Sequence, residues 1–270
     1  MKKLSAWITF DYFQAMLPAK YEGKAREEKA TKITANLFKM LFFGTLQVYA
    51  FFCVMPDLPF NPPELGGNKK WEFFFKGFPY PEITPAMKRF YMIDLAYHME
   101  SWLHLVLSKP RNDFAEMFLH HLATAILIMS SYMTNTIGQG VSCMFLNDHA
   151  DFWIGMIRVV MDVSGPVTIG LVAFGFGSTF VYTRMFVFPF YMIKFAGWDQ
   201  WVLFDGQGFF NTKMTPFLMV LQVLNIYWCF LIFKMFARFA SKGEAIDMHS
   251  KDTMKNPEHT MKNTKDAKTT

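Results

Sequence analysis

Apolar residues dominate the middle of the chain, from about residue 34 to residue 238, in long runs that short polar joints separate. A helix needs roughly 20 apolar residues to cross the ~30 Å hydrocarbon core of a bilayer. Segments that approach or exceed this length lie at 34–55, 89–108, 113–134, 138–161, 168–192 and 215–238. The pattern therefore predicts an all-α, polytopic integral membrane protein with about six transmembrane helices.

The two ends of the chain differ from this apolar middle. Residues 4–18 have the mixed pattern of an amphipathic helix at the membrane interface, so we predict an inner-side N-terminal segment over 1–33. A cleavable signal peptide is not expected, because Asp11 interrupts the first apolar stretch. The tail, residues 239–270, is too polar to bury a core. We expect this tail to bind protein partners in a membrane complex.

Composition and charge agree with a membrane location. Hydrophobic residues make up 52% of the chain and charged residues 18%, which is less charge than a soluble domain usually carries. Lys and Arg cluster in both end segments, so the positive-inside rule places both tails on the inner side. We therefore expect membrane lipids as partners, and no nucleic acid.

Ionisable residues occur inside the predicted spans, where they are costly and mark candidate functional positions. In the second span, Asp94 and His98 are four residues apart, as are Glu100 and His104. This spacing places each pair on one helix face. We interpret both pairs as structural contacts between helices.

The third and fourth spans carry the strongest candidates for chemistry. His120 and His121 lie one turn before Thr124, and Asp148 and Asp151 share a face of the next helix. Two helices joined by a short link pack antiparallel, which allows these groups to meet at a similar depth. An imidazole oriented by a carboxylate suits a base or a nucleophile. A metal ion would suit the same groups, but no further ligand spacing supports one, and we predict no metal site.

Residues 111–135 resemble the signature of the TLC family, which includes the ceramide synthases and their Lag1-type relatives. Similarity extends over about residues 70–238 and implies a TLC-type helical barrel. The matching residues, in chain order, are Arg111, Asp113, Phe114, Glu116, Met117, His120, His121, Thr124, Ser131, Tyr132, Asn135, Asp148, Asp151, Arg184, Pro189, Tyr227 and Trp228.

The resemblance implies transfer of a fatty acyl group from acyl-CoA, as co-substrate, to the amine of a sphingoid base, with no further cofactor. It implies catalytic roles for His120 or His121, oriented by Asp148 and Asp151. The positions that we expect to bind substrate or lipid are Thr124, Asn135, Asn147, Arg184, Tyr227 and Trp228.

The sequence also departs from the family pattern. Gly138 stands where the family usually has Arg, and Asn147 where it usually has His. Gly155 and Arg158 replace the usual Glu and Lys. The first two changes remove a cation and a titratable group near the expected chemistry.

Two hypotheses follow from the motif and its departures. The first, which the departures favour, is a catalytically weakened protein that binds lipid or serves as an accessory subunit of a larger membrane assembly. The alternative is an acyl-CoA-dependent sphingoid-base N-acyltransferase that uses the histidine pair. The resemblance implies the endoplasmic reticulum, with the mitochondrial inner membrane as the alternative location.

Overall fold

The computed structural model describes residues 2–17, 21–57, 80–108, 113–199 and 209–242, and all regular structure within these ranges is helical. The helices are α1 (Lys2–Met16), α2 (Gly23–Tyr49), α3 (Pro85–Leu107), α4 (Phe114–Met133), α5 (Ile137–Val163), α6 (Pro166–Phe180) and α7 (Phe209–Lys242). Two of them continue with different hydrogen bonding. A π-helix (Ala50–Val54) and a 3₁₀ turn (Met55–Asp57) extend α2, and π-helical segments extend α6 (Val181–Ile193, Phe195–Asp199).

Four helical segments are long and apolar enough to cross a membrane: Gly23–Val54, Phe114–Met133, Pro166–Ile193 and Lys213–Arg238. These segments confirm the prediction of an all-α membrane protein. Each of the six predicted spans coincides with a long helix, but α3 and α5, although long enough, are less apolar than these four, so the count of six is not confirmed. Both helices carry acidic and histidine side chains near their middle, such as Asp94 and His98 in α3 and Asp148 in α5, and these lower the mean hydropathy.

The six long helices pack in a closed circuit, as expected for a helical barrel. In order of contact the circuit runs α2, α5, α6, α7, α4 and α3, and it closes between α3 and the π-helical end of α2. Helix α5 also contacts α3, α4 and the π-helical continuation of α6. The polar residues of α5 therefore lie near the centre of the bundle.

Helices α2 and α5 approach each other closely at a glycine. A Cβ atom at Gly155 would lie 2.9 Å from the backbone nitrogen of Met40 and 3.1 Å from the carbonyl oxygen of Asn36. A larger side chain at this position would push the two backbones apart. One departure from the family pattern, Gly155 in place of Glu, thus belongs to helix packing.

Helix α1 lies against the start of α2 and covers most of residues 4–18, and its position at a membrane interface stays a prediction. Arg26 donates hydrogen bonds to the carbonyl oxygens of Gln14 (2.7 Å) and Leu17 (2.8 Å). These bonds satisfy carbonyl groups that the end of α1 leaves without intrahelical partners. The predicted segment boundary at residue 33 falls inside α2, because the helix begins at Gly23. The tail beyond Lys242 lies outside the described residues, so its binding to partners stays a prediction.

Candidate functional site

A cavity of ≈ 80 Å³ lies among α3, α4, α5, α7 and the continuation of α6. Its volume is several times what one water molecule requires. Polar residues line one part of it: His98, His120, Thr124, Asn147 and Asp151. A second set is apolar: Leu127, Ile128, Met144, Met192, Leu218 and Leu221. Along α5 the lining residues run from Gln139 to Asp151, roughly 18 Å at 1.5 Å per residue.

His120 lies in the cavity wall and is held mainly by aromatic rings. Its ring centroid is 5.2 Å from that of Trp228 and 5.3 Å from that of His121, both in edge-on geometry. Its buried Nδ1 atom has no hydrogen-bond partner in the described part of the chain, and the same holds for Nδ1 of His121. The hydroxyl of Thr124 therefore bonds neither of these atoms. His121 is absent from the described cavity lining, so the structure distinguishes the two members of the pair.

A second imidazole, His98 on α3, lies between two carboxylates. Its Nε2 atom is 3.3 Å from Oδ1 of Asp94 and 3.8 Å from Oδ1 of Asp148. The exposed fractions are 0% for Asp94, 8% for His98 and 0% for Asp148. Thr84 caps the start of α3 by accepting a hydrogen bond from the Met87 N–H at 3.3 Å. The structure thus brings Asp148 to His98, and the role of Asp148 in orienting His120 or His121 stays a prediction.

Arg184 is a buried cation, and the hydrogen-bond acceptors described for it are neutral. Its guanidinium donates to Oδ1 of Asn225 at 2.9 Å and to the carbonyl oxygen of Asn147 at 3.0 Å. The amide of Asn147 turns back and donates to the carbonyl oxygen of Cys143 at 2.7 Å. Arg184 therefore ties α5, α7 and the continuation of α6 together, and part of its donor capacity is already used inside the protein.

The remaining predicted binding residues have different surroundings. Asn135 lies in the turn between α4 and α5 with a φ of 59°, a left-handed conformation that Asn tolerates better than most residues. Tyr227 is 40% exposed on the outer side of α7, whereas Trp228 reaches inward to His120. Asp151 lines the cavity beside Asn147. Of the six predicted binding positions, Thr124 and Asn147 line the cavity.

Sequence reasoning missed Asp94, His98 and Asn225 as parts of the site. The spacing of Asp94 and His98 was visible, but the outward pair Glu100 and His104 has the same spacing. Spacing alone therefore does not reveal which pair faces inward. Asn225 is a single amide in an apolar run, and such polar residues in spans are a signal for internal partners.

Comparisons with known proteins agree with this architecture. Residues 32–234 match the family model described as the TLC domain (TRAM, LAG1, CLN8). ASC1-like protein 3 of Oryza sativa subsp. japonica is 24% identical over 238 residues, which cover 85% of this chain and 81% of that protein. Ceramide synthase 3 of Homo sapiens is 27% identical over 67% of this chain and 47% of that protein.

Sphingosine N-acyltransferase lac1 of Schizosaccharomyces pombe is 26% identical over 66% of this chain and 49% of that protein. The chain therefore spans about half the length of the human and fission-yeast relatives. The family model nevertheless covers most of the sequence and all of the residues that line the cavity. The chain belongs to the TLC domain family.

Proposed function

We propose that this chain is an acyl-CoA-dependent N-acyltransferase that acts on a sphingoid base. The observation that carries the proposal is the position of His120, an imidazole in the wall of a largely apolar cavity with ring contacts to Trp228 and His121. The names of two relatives, a ceramide synthase and a sphingosine N-acyltransferase, support the same substrate class.

The reaction joins an amine to a thioester carbonyl. The C–N bond forms, the C–S bond breaks, and the amine proton ends on the departing thiolate of coenzyme A. A neutral imidazole can accept the proton from the amine and return it to sulfur. Alternatively, the imidazole takes the acyl group first and passes it to the amine. Both routes need His120 next to the thioester carbonyl, and its place in the cavity wall suits either.

The apolar part of the cavity suits a hydrocarbon chain. Beyond Leu127 and Ile128 its wall is formed by Ser131, Thr136 and Gln139. The hydroxyl of Tyr91 donates to the carbonyl oxygen of Ile128 and lies 2.5 Å from Oγ of Ser131. This polar end, about 17 Å along α4 from His120 to Ser131, would limit the length of the acyl chain.

The direct test is product formation by the purified full chain in lipid vesicles. Acyl-CoA and a sphingoid base are supplied, and ceramide is measured by mass spectrometry. We expect ceramide from the unchanged protein and its loss in His120→Ala. His149→Ala is the matched control, because His149 lies on α5 outside the described cavity lining. Undiminished product from His120→Ala would contradict the proposal.

A non-catalytic lipid-binding or accessory role is the second candidate. The replacements at Gly138 and Asn147, and the internal use of Arg184, favour it. An unchanged protein that retains long-chain lipid through purification but forms no ceramide would support this second role. For either function we propose the endoplasmic reticulum as location, which imaging of a tagged chain with an organelle marker would test.

A further inference from the structure

Two carboxylates and one imidazole are buried together in the apolar bundle. None of the four oxygen atoms of Asp94 and Asp148 has a hydrogen bond of acceptable geometry in the described part of the chain. Ionised carboxylates in such surroundings are strongly unfavourable unless a cation or hydrogen bonds compensate them. The contacts to His98 alone leave this cluster short of positive charge or of donors.

We propose that Asp94, His98 and Asp148 form a binding site for a divalent metal ion, with Zn²⁺ as the ion to test. Two carboxylates and a neutral imidazole together carry the charge that a divalent cation balances. Carboxylate oxygen and imidazole nitrogen are ordinary ligands of zinc, and zinc sites with three protein ligands leave a position for water or substrate.

The spacing of the ligand atoms fits such an ion. One ligand atom from each residue lies within 4.8 Å of the other two. Tetrahedral coordination at zinc distances separates ligand atoms by about 3.4 Å. The observed separations from Nε2 of His98, 3.3 Å to Asp94 and 3.8 Å to Asp148, approach that value. Small side-chain movements would close the site around the ion.

The position of the cluster determines which helices a bound ion would link and how the ion could enter. Asp94 and His98 belong to α3 and Asp148 to α5, so a bound ion would link two neighbouring helices. His98 also lines the cavity, which connects the cluster to that space. The sequence predicted no metal site, because the ligands come from two helices far apart in the chain. The inference does not depend on the proposed acyltransferase activity.

Metal content of the purified full chain tests the site. The protein is incubated with zinc chloride, desalted and measured by inductively coupled plasma mass spectrometry. We expect one zinc ion per chain, and its loss in Asp94→Asn and in Asp148→Asn. The double variant Glu100→Gln, His104→Gln removes an equally spaced carboxylate–imidazole pair from the outer face of α3 and should retain the ion. An unchanged protein without zinc, or Asp94→Asn with full zinc content, would overturn the proposal.

A measurement on the unchanged protein guards against variants that fail to fold. Cobalt(II) should give visible absorption bands that an added equivalent of Zn²⁺ abolishes. Zinc should also raise the thermal midpoint of unfolding, and a chelator should lower it again. Absence of cobalt bands together with an unmoved midpoint would refute the site, whatever the ceramide assay shows.

Discussion

His98 and His120 line the same cavity from neighbouring helices, but their surroundings are opposite in kind. His98 lies between the carboxylates of Asp94 and Asp148. His120 lies against the rings of Trp228 and His121, and its buried Nδ1 atom has no partner among the described residues. One imidazole is thus part of an ionic cluster, and the other is packed among aromatic rings.

This difference separates two tasks that a histidine can perform. An imidazole whose Nε2 already faces two carboxylates is suited to compensating charge or to binding an ion. An imidazole whose described contacts are with ring edges is suited to act as a neutral base or a nucleophile. In the proposed function, the chemistry therefore falls to His120, and His98 has a structural or ion-binding role.

The largest expected effect is on catalysis at His120. Replacing it by Ala should lower kcat/KM for ceramide formation by about 10²–10⁴-fold, because general acid–base catalysis contributes this much. His121→Ala should cost less than about tenfold, since its ring supports His120 through one aromatic contact. Steady-state rates in vesicles give both values. A reversed order, with His121 the more sensitive residue, would remove the distinction within the pair.

Substitutions in the cluster around His98 should lower the free energy of unfolding. In the zinc-loaded protein, Asp94→Asn removes one carboxylate that compensates the buried ion, and we expect a loss of about 3–5 kcal/mol in the free energy of unfolding. Glu100→Gln on the exposed face of the same helix should change it by less than about 1 kcal/mol. Denaturation in detergent, followed by tryptophan fluorescence, compares the two variants. Equal effects would show that the inward pair is no more important than the outward one.

The pairs Asp94–His98 and Glu100–His104 also show what can and cannot be predicted from the sequence. The positions of the long helices followed from apolar runs, because burial in lipid demands a length that the sequence displays directly. The signature around His120 also identified the family directly, because most of its residues follow one another in a single helix. Asp94 and His98 share their spacing with Glu100 and His104, so the sequence contained no signal to rank them.

Contacts between helices distant in sequence could not be predicted from local patterns. Asp148 was expected to face the histidine pair, but its described contact is with His98. Which neighbour a residue of α5 meets depends on the rotation of α5 within the barrel, and that rotation is set by packing such as the close approach at Gly155. Arg184 illustrates the same limit, because Asn225 lies on another helix.

Arg184 is a further buried charged group, and its hydrogen bonds go to neutral acceptors. Asn225→Ala should leave one guanidinium nitrogen without its acceptor and cost about 1–3 kcal/mol in the free energy of unfolding. Ser178→Ala is a suitable control, because its exposed hydroxyl bonds only carbonyl groups of its own helix. The fluorescence assay used for Asp94 measures both. An Asn225→Ala variant as stable as Ser178→Ala would show that Arg184 does not depend on this bond.

The smallest expected effect tests whether aromatic packing positions His120. Trp228→Leu removes a ring whose centroid is 5.2 Å from the imidazole, while Tyr227→Leu alters the neighbouring, largely outward residue. An aromatic pair contributes about 0.5–1.5 kcal/mol beyond its buried area, which corresponds to about a two- to tenfold change in rate. We expect kcat/KM to fall by that factor in Trp228→Leu and to stay unchanged in Tyr227→Leu. Because Trp228→Phe keeps a ring at this position, it should recover most of the loss. Equal rates for the Leu and Phe variants would mean that the bulk of the side chain, and not its ring, holds His120 in the cavity wall.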